Sequence, residues 1–189
     1  MKQSSRTMLV LVLLCLLFWV SLNAALMERP DIVFYEKKKR SSMTYPLEDY
    51  FKREGNPAPS EIRAAEACLR GHIATWEVVG DVLYLKNVKS PDGKKIVLRK
   101  IFPNNSEKNI KAFWFSDILF LLGPHVGDHY IFLDIKKGVV QKEYRLSGEE
   151  FFNIVDEISN NKELRNPRMS LLRNVLVRYQ DRKKHRKSV

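Results

Sequence analysis

Residues 8–26, MLVLVLLCLLFWVSLNAAL, run for nineteen positions without a charge, and only Ser21 and Asn23 are polar. No solvent-facing surface accommodates such a run, whereas about 20 consecutive apolar residues in a helix match the hydrocarbon thickness of a bilayer. The run therefore divides the chain. Residues 1–27 read as an N-terminal transmembrane anchor or a signal peptide, residues 30–160 as an α+β domain, and residues 161–189 as a basic amphipathic C-terminal helix and tail. Lys2 and Arg6 precede the run, as they would for either an anchor or a secretion signal. Cleavage near Ala24 or Ala25 requires small residues at both recognition positions. Cutting after Ala24 puts Leu22 at the outer position, and cutting after Ala25 puts Asn23 there. The poor match favours an uncleaved single-pass anchor over secretion after signal cleavage. Nothing resembling a lipoprotein box precedes Cys15, which follows Leu13 and Leu14 in mid-run. Basic residues flank both ends of the span, but Arg29 and Lys37 to Arg40 fall at the start of the folding region, so the domain is expected outside the cytoplasm.

A net charge of +11 over 189 residues first reads as a nucleic-acid signal. Its placement says otherwise. Ten of the 33 Lys and Arg but only two of the 22 Asp and Glu lie from Lys162 onward, leaving 23 basic and 20 acidic residues before it. The body is close to neutral, so nucleic acid is disfavoured as a partner, and the basicity belongs to the tail. With Cys15 in the apolar run, Cys68 has no partner for an intrachain disulfide and reads as a small buried residue.

The clearest folding pattern is GHIATWEVVGDVLYL, residues 71–85. Gly80-Asp81 fits a two-residue hairpin turn, which sets Val79 opposite Val82, Val78 opposite Leu83, Glu77 opposite Tyr84 and Trp76 opposite Leu85. Ala74, Trp76, Val78, Leu83 and Leu85 then share the core face. Thr75, Glu77, Tyr84 and Lys86 share the other, with Thr75 opposite Lys86. Glu77 is thus expected to be a solvated or surface-paired carboxylate rather than a catalytic one.

Around this hairpin, DIVFYEKKKR supplies an opening strand and YPLEDYF a turn or short helix. Ser60, the Ala-rich stretch after it and Gly71 signal a helix near 60–70. KKIVLRKIF reads as a third strand, and AFWFSDILFLLG as a central strand covered on both faces. HYIFLDI and VVQKEYRL form a further hairpin in which Ile131, Leu133, Ile135, Val140, Tyr144 and Leu146 can share the core. Ser147 and Glu150 match a reciprocal helix cap ahead of an apolar stripe of Phe151, Phe152, Val155 and Ile158. Leu172, Val175, Leu176 and Tyr179 recur at helical spacing near the end. The expected class is α+β: an antiparallel, hairpin-rich sheet of about six strands with two or three helices, preceded by one N-terminal membrane helix.

The segments PLEDYF, GHIATWE, LYL, IFP and WFSDIL resemble, in order, those of a group of uncharacterised bacterial proteins of similar size, over about residues 30–146. The group's usual forms are PLE-x-YF, W-R-G-Y-I-A-T-W-E, L-Y-L, F-P and W-F-S/T-G-x-L. This chain departs from them with Leu69 for Trp, His72 for Tyr and Asp117 for Gly. No activity is attached to the group, so the resemblance implies a domain extent and not a mechanism.

Sharper chemistry finds little support. His125, Asp128 and His129 have ligand-type side chains at metal-like spacing, but Gly123, Pro124 and Gly127 make the segment a loop with no fixed geometry. Cys68 and His72, four apart, straddle Gly71 and need not converge as a thiol and its base. Glu48 and Asp49 are adjacent and fit the start of a helix. Glycine-rich phosphate loops, nucleophile elbows, HExxH and CxxC are absent from the sequence. No catalytic, cofactor or metal residue is therefore assigned. The sequence favours a membrane-tethered or exported binding module without catalytic activity, over an extracytoplasmic hydrolase-like enzyme with unassigned carboxylates or histidines. The expected partners are the membrane through residues 8–26, anionic lipid through the C-terminal tail, and an unidentified protein.

Overall fold

A computed structural model of the chain describes residues 28–65, 68–105, 107–123, 129–160 and 174–180. The expected opening strand is two strands, β1 (Asp31–Tyr35) and β2 (Lys38–Ser42), folded back at Glu36 and Lys37. Both turn residues have left-handed backbone, φ 51° and 62°, the twist that suits a two-residue hairpin. Helix α1 (Pro46–Phe51) follows, with proline in its first turn, where the missing N–H is no loss, and Glu48 and Asp49 at its positive end. Next come β3 (Ile73–Val79), β4 (Val82–Lys89), β5 (Lys95–Ile96), α2 (Leu98–Ile101), β6 (Ile110–Lys111), β7 (Ile118–Leu121), β8 (Tyr130–Lys136), β9 (Val139–Leu146) and α3 (Gly148–Asn160). Residues 174–180 form helix α4.

The strands make one mostly antiparallel sheet in the order β2-β1-β3-β4-β9-β8-β7, with β1 and β3 the parallel pair. The path closes on itself. Ser41 at the end of β2 and Leu122 just past β7 exchange backbone hydrogen bonds of 3.2 and 2.8 Å. β9 meets β4 only where both begin, at Val82 and Val139, a stagger of the kind that closure of a ring requires. The edge of β4 left free by that stagger is taken by β6 at Tyr84 and Leu85 and by β5 at Val88 and Lys89. Closure leaves few bare strand edges, which is one way a sheet protects itself from edge-to-edge association.

Val33, Trp76, Leu85, Leu119, Leu121 and Leu133 fill the interior. A second core covers the outer face of β7 to β9, where Ile118, Phe132, Tyr144 and Leu146 meet Ile154 of α3 and Val175 and Leu176 of α4. The α+β class with a hairpin-rich, mostly antiparallel sheet holds. Among the described residues nine strands replace the expected six, β5 and β6 being only two residues long.

Several local expectations are corrected. No helix forms over the described residues 60–65: Ala65 and Cys68 instead exchange backbone hydrogen bonds of 3.1 and 2.9 Å. Gly71, at φ 72°, packs so closely on the Arg63 backbone that a Cβ would lie 2.4 Å from its carbonyl carbon. KKIVLRKIF yields only two strand residues before α2, and AFWFSDILFLLG only the four of β7. Those four are nevertheless covered on both faces, since Leu119 and Leu121 join the interior and Ile118 the outer core.

Two bulges change faces. Lys86 is the extra residue in β4, so Thr75 lies opposite Asn87 rather than Lys86, and Val88 turns inward beside Ala74. Gln141 is the extra residue in β9: Ile135 still faces Val140, but Tyr144 and Leu146 turn outward to the helices instead of joining Ile131 and Leu133. The Ser147–Glu150 cap forms in both directions, at 2.7 and 3.2 Å. The helix it starts buries Ile154 and part of Phe151, while Phe152 and Val155 stay exposed. Residues 8–26, Leu172 and the terminal basic run lie outside the described residues. Among the described residues no helix is long and apolar enough to cross a membrane.

Candidate functional site

Two regions gather the polar and aromatic side chains that could serve a function. The first lies at the start of β1. Alternation along DIVFY puts Asp31 on the same face as Val33, facing the interior, and the carboxylate has no solvent exposure. It accepts hydrogen bonds from the Trp76 indole at 2.9 Å, the Ala74 amide at 3.0 Å and the Arg70 guanidinium at 3.1 Å. Burial nonetheless outweighs these donors and pushes the Asp31 carboxyl up to about 6. Arg70 also donates to the Arg29 carbonyl at 2.6 Å and stacks 3.6 Å above the Tyr45 ring, while its Nε, 3.4 Å from Glu28, makes no hydrogen bond among the described residues.

His72 completes the cluster. Its ring is fully buried, edge-on to Phe51, with Nε2 3.4 Å from the Arg70 guanidinium and Nδ1 3.2 Å from the Arg70 carbonyl. Arg70 can only donate, so Nε2 accepts and the proton sits on Nδ1. A second proton would have to enter at Nε2, facing a guanidinium in a dry site. Burial first, and Arg70 second, bring the His72 pKa down to about 4. Glu48 of α1 lies 3.7 Å from Nδ1, its own carboxyl held above the ordinary range by burial. Cys68 does not form a pair with the imidazole. Its thiol donates to the His72 carbonyl at 3.4 Å, and burial raises its pKa, the opposite of what a nucleophile needs.

The cluster therefore holds two groups with strongly shifted pKa values, the usual mark of a catalytic centre, yet neither Asp31 nor His72 can be reached by a substrate. What it does is tie β1, the turn at 68–71, α1 and β3 together. Sequence reasoning missed Asp31 and Arg70. The position of Asp31 two residues before Val33 was the available signal.

The other residues weighed in the sequence are scattered. Glu77 lies on the outer face, partly exposed and 2.7 Å from Lys86, a surface ion pair as expected. His129 is exposed, and His125 and Asp128 fall outside the described residues. Among the described residues no group of three or more His, Cys, Asp or Glu could hold a metal ion. Arg40, on the interior face beside Val33, is almost wholly buried, and its Nε and Nη1 find no hydrogen-bond partner among the described residues.

The second region is open. Between α1 and α2 runs a groove of about 480 Å³, bordered by Gly55 to Pro57 on one side and Lys100 to Asn105 on the other. Its floor is aromatic. Tyr50, Phe102 and Phe113 line it, and the buried Trp114 packs behind them, stacked on Phe102 with ring centres 5.3 Å apart, tilted against Tyr50 at 4.9 Å and edge-on to Phe113 at 5.4 Å. Trp114 is anchored through its indole N–H, which donates to the Pro46 carbonyl at 2.7 Å. Phe113 is 59% exposed although its neighbours Ala112 and Trp114 are buried. Asn56, Asn104 and Asn105 place amides along the rim. A second hollow, of about 500 Å³, is lined by charged side chains, but Asp92 pairs with Lys94, and Glu61 with Lys100.

Four of the five motif segments contribute to these two regions. PLEDYF is α1, GHIATWE carries His72 and Trp76, IFP supplies Phe102 and Pro103, and WFS supplies Trp114. No family model, curated protein or solved structure matches the chain.

Proposed function

We propose that this protein is a membrane-tethered binding module, anchored by a helix over residues 8–26 with its barrel outside the cytoplasm, and that it holds an extended segment of a partner protein in the groove between α1 and α2. The observation that carries this reading is Phe113, a large apolar ring left exposed beside the buried Trp114. Such a surface gains by covering itself, at roughly 25 cal/mol per Å² of apolar area removed from water. Proline and aromatic walls with amides on the rim suit an extended chain, whose apolar side chains fill the floor and whose backbone is met by Asn56, Asn104 and Asn105. A hydrolase reading would have to use Glu48 and His72, and the imidazole has no path to solvent. We extend the proposal to the bacterial group with the same motifs, which would share the stack if the resemblance reflects descent. Residues 181–189, rich in Lys and Arg, are proposed to add a contact with anionic lipid that weakens as salt rises.

Selection of random displayed peptides against the full chain in lipid nanodiscs tests the groove. The expected result is enrichment of extended sequences bearing proline or large apolar residues, whose binding is lost on Phe113→Ala. Enriched peptides that bind Phe113→Ala as well as the unchanged protein would overturn it.

A further inference from the structure

The sequence distance between the apolar run and the first fixed residue of the domain limits how the domain can stand on a membrane. Leu26 ends the run, and Glu28, two residues on, already accepts a hydrogen bond from the Leu69 amide at 3.0 Å and lies 3.4 Å from Arg70. Two residues reach at most about 7 Å. If residues 8–26 cross the bilayer, Glu28 can stand no farther than that from the last apolar residue. The domain then has no linker on which to rise or turn away.

The surface around Glu28 has the composition that this position calls for. Leu69 is 67% exposed and Met43 40% exposed, both large apolar side chains facing water. They belong to one neighbourhood: Leu69 donates to Glu28, Arg70 joins Glu28 to the Tyr45 ring, and the Tyr45 hydroxyl reaches the Met43 sulfur at 3.4 Å. Arg29 donates to the Pro91 carbonyl at 2.9 Å, which brings the exposed Lys89 and its cross-strand neighbour Lys95 to the same end of the sheet. Of the acidic groups there, Glu28 meets Leu69 and Arg70 and Asp92 meets Lys94, while Glu48 is partly exposed and lies 3.7 Å from the neutral His72 ring. Apolar side chains flanked by unneutralised basic ones are what a headgroup layer of anionic lipid accepts. The Gly80-Asp81 turn, with the exposed Val79, lies at the far end of β3.

We infer that the end of the barrel bearing Glu28 rests on the bilayer, with Leu69 and Met43 in the interfacial layer and Arg29, Lys89 and Lys95 against anionic headgroups. This rests on the tethered reading of residues 8–26. It leaves the Gly80 end pointing away from the membrane.

The test uses the full chain in nanodiscs of phosphatidylcholine and phosphatidylglycerol containing a lipid with a paramagnetic headgroup, and reads the methyl resonances of Leu69, Met43 and Val79. The expected result is co-elution of the chain with the discs and broadening of Leu69 and Met43 severalfold beyond that of Val79. Co-elution with equal broadening at all three, or with Leu69 and Met43 untouched, overturns the docked orientation while leaving the tether standing. Failure to co-elute overturns the tether and the orientation together. In discs of phosphatidylcholine alone the broadening of Leu69 and Met43 should fall; unchanged broadening there would remove the basic residues from the account.

Discussion

The cluster around Asp31 and the groove around Phe113 are built from neighbouring elements, and α1 contributes to both, yet they have opposite characters. In the cluster Asp31 and His72 are ionisable and closed off from solvent, so their shifted pKa values record the cost of burial rather than readiness for reaction. In the groove the groups are apolar or neutral apart from Lys100, which pairs with Glu61, and what stands out is an aromatic ring that folding leaves exposed. A perturbed titration marks function only when a substrate can arrive; here access separates the two regions.

The largest expected effect would break the fold through the cluster. Trp76→Ala empties a fully buried site and removes the indole that donates to Asp31, so the loss should be at least about 3–5 kcal/mol in urea denaturation. Phe113→Ala should change stability by less than about 1 kcal/mol, since most of that ring is already in water. Comparable losses in the two variants would erase the distinction.

Stability against pH sharpens it. Asp31 has a folded pKa near 6, above its ordinary 3.8, so the folded state binds more protons across that interval; its contribution is fully present below about 3.8 and is lost as pH rises through 6. His72 has a folded pKa near 4, below its ordinary 6.5, so the unfolded state binds more protons and stability from His72 rises with pH between 4 and 6.5. Each slope amounts to on the order of 3 kcal/mol, and in the unchanged protein they oppose each other. Asp31→Asn should leave a domain whose stability climbs from pH 4 to 6.5, and His72→Gln one whose stability falls from pH 4 to 6. Denaturant midpoints across that range would show it, and two variants with the same slope would refute the assignment.

The smallest effect belongs to the surface. Glu77→Gln removes a partly exposed pair with Lys86 and should change stability by less than about 0.5 kcal/mol, with no effect on peptide binding in the groove.

Period-two patterns and turn chemistry made the hairpins of β3–β4 and β8–β9 legible, and the Ser147–Glu150 spacing marked the start of α3. What those patterns could not carry was the single extra residue. Lys86 and Gln141 have nothing in their composition that marks a bulge, yet Gln141 alone moves Tyr144 and Leu146 from one core to the other. The Ala-rich stretch before Gly71 has helix propensity, and it was overridden where Cys68 is buried, Gly71 lies against the Arg63 backbone and Arg70 reaches Asp31. Both candidate regions depend on closure of the ring and on contacts such as Trp114 to Pro46, between residues 68 positions apart, which no local pattern encodes.

The separation of a sealed cluster from an open groove is tested most directly by following the His72 ring resonances through an NMR pH titration of the folded protein. His72 is expected to stay neutral well below pH 6, with a midpoint near 4. A midpoint at or above the ordinary histidine value of about 6.5 would require solvent or a charged partner at the ring, and would return His72 and Glu48 to consideration as a reactive pair.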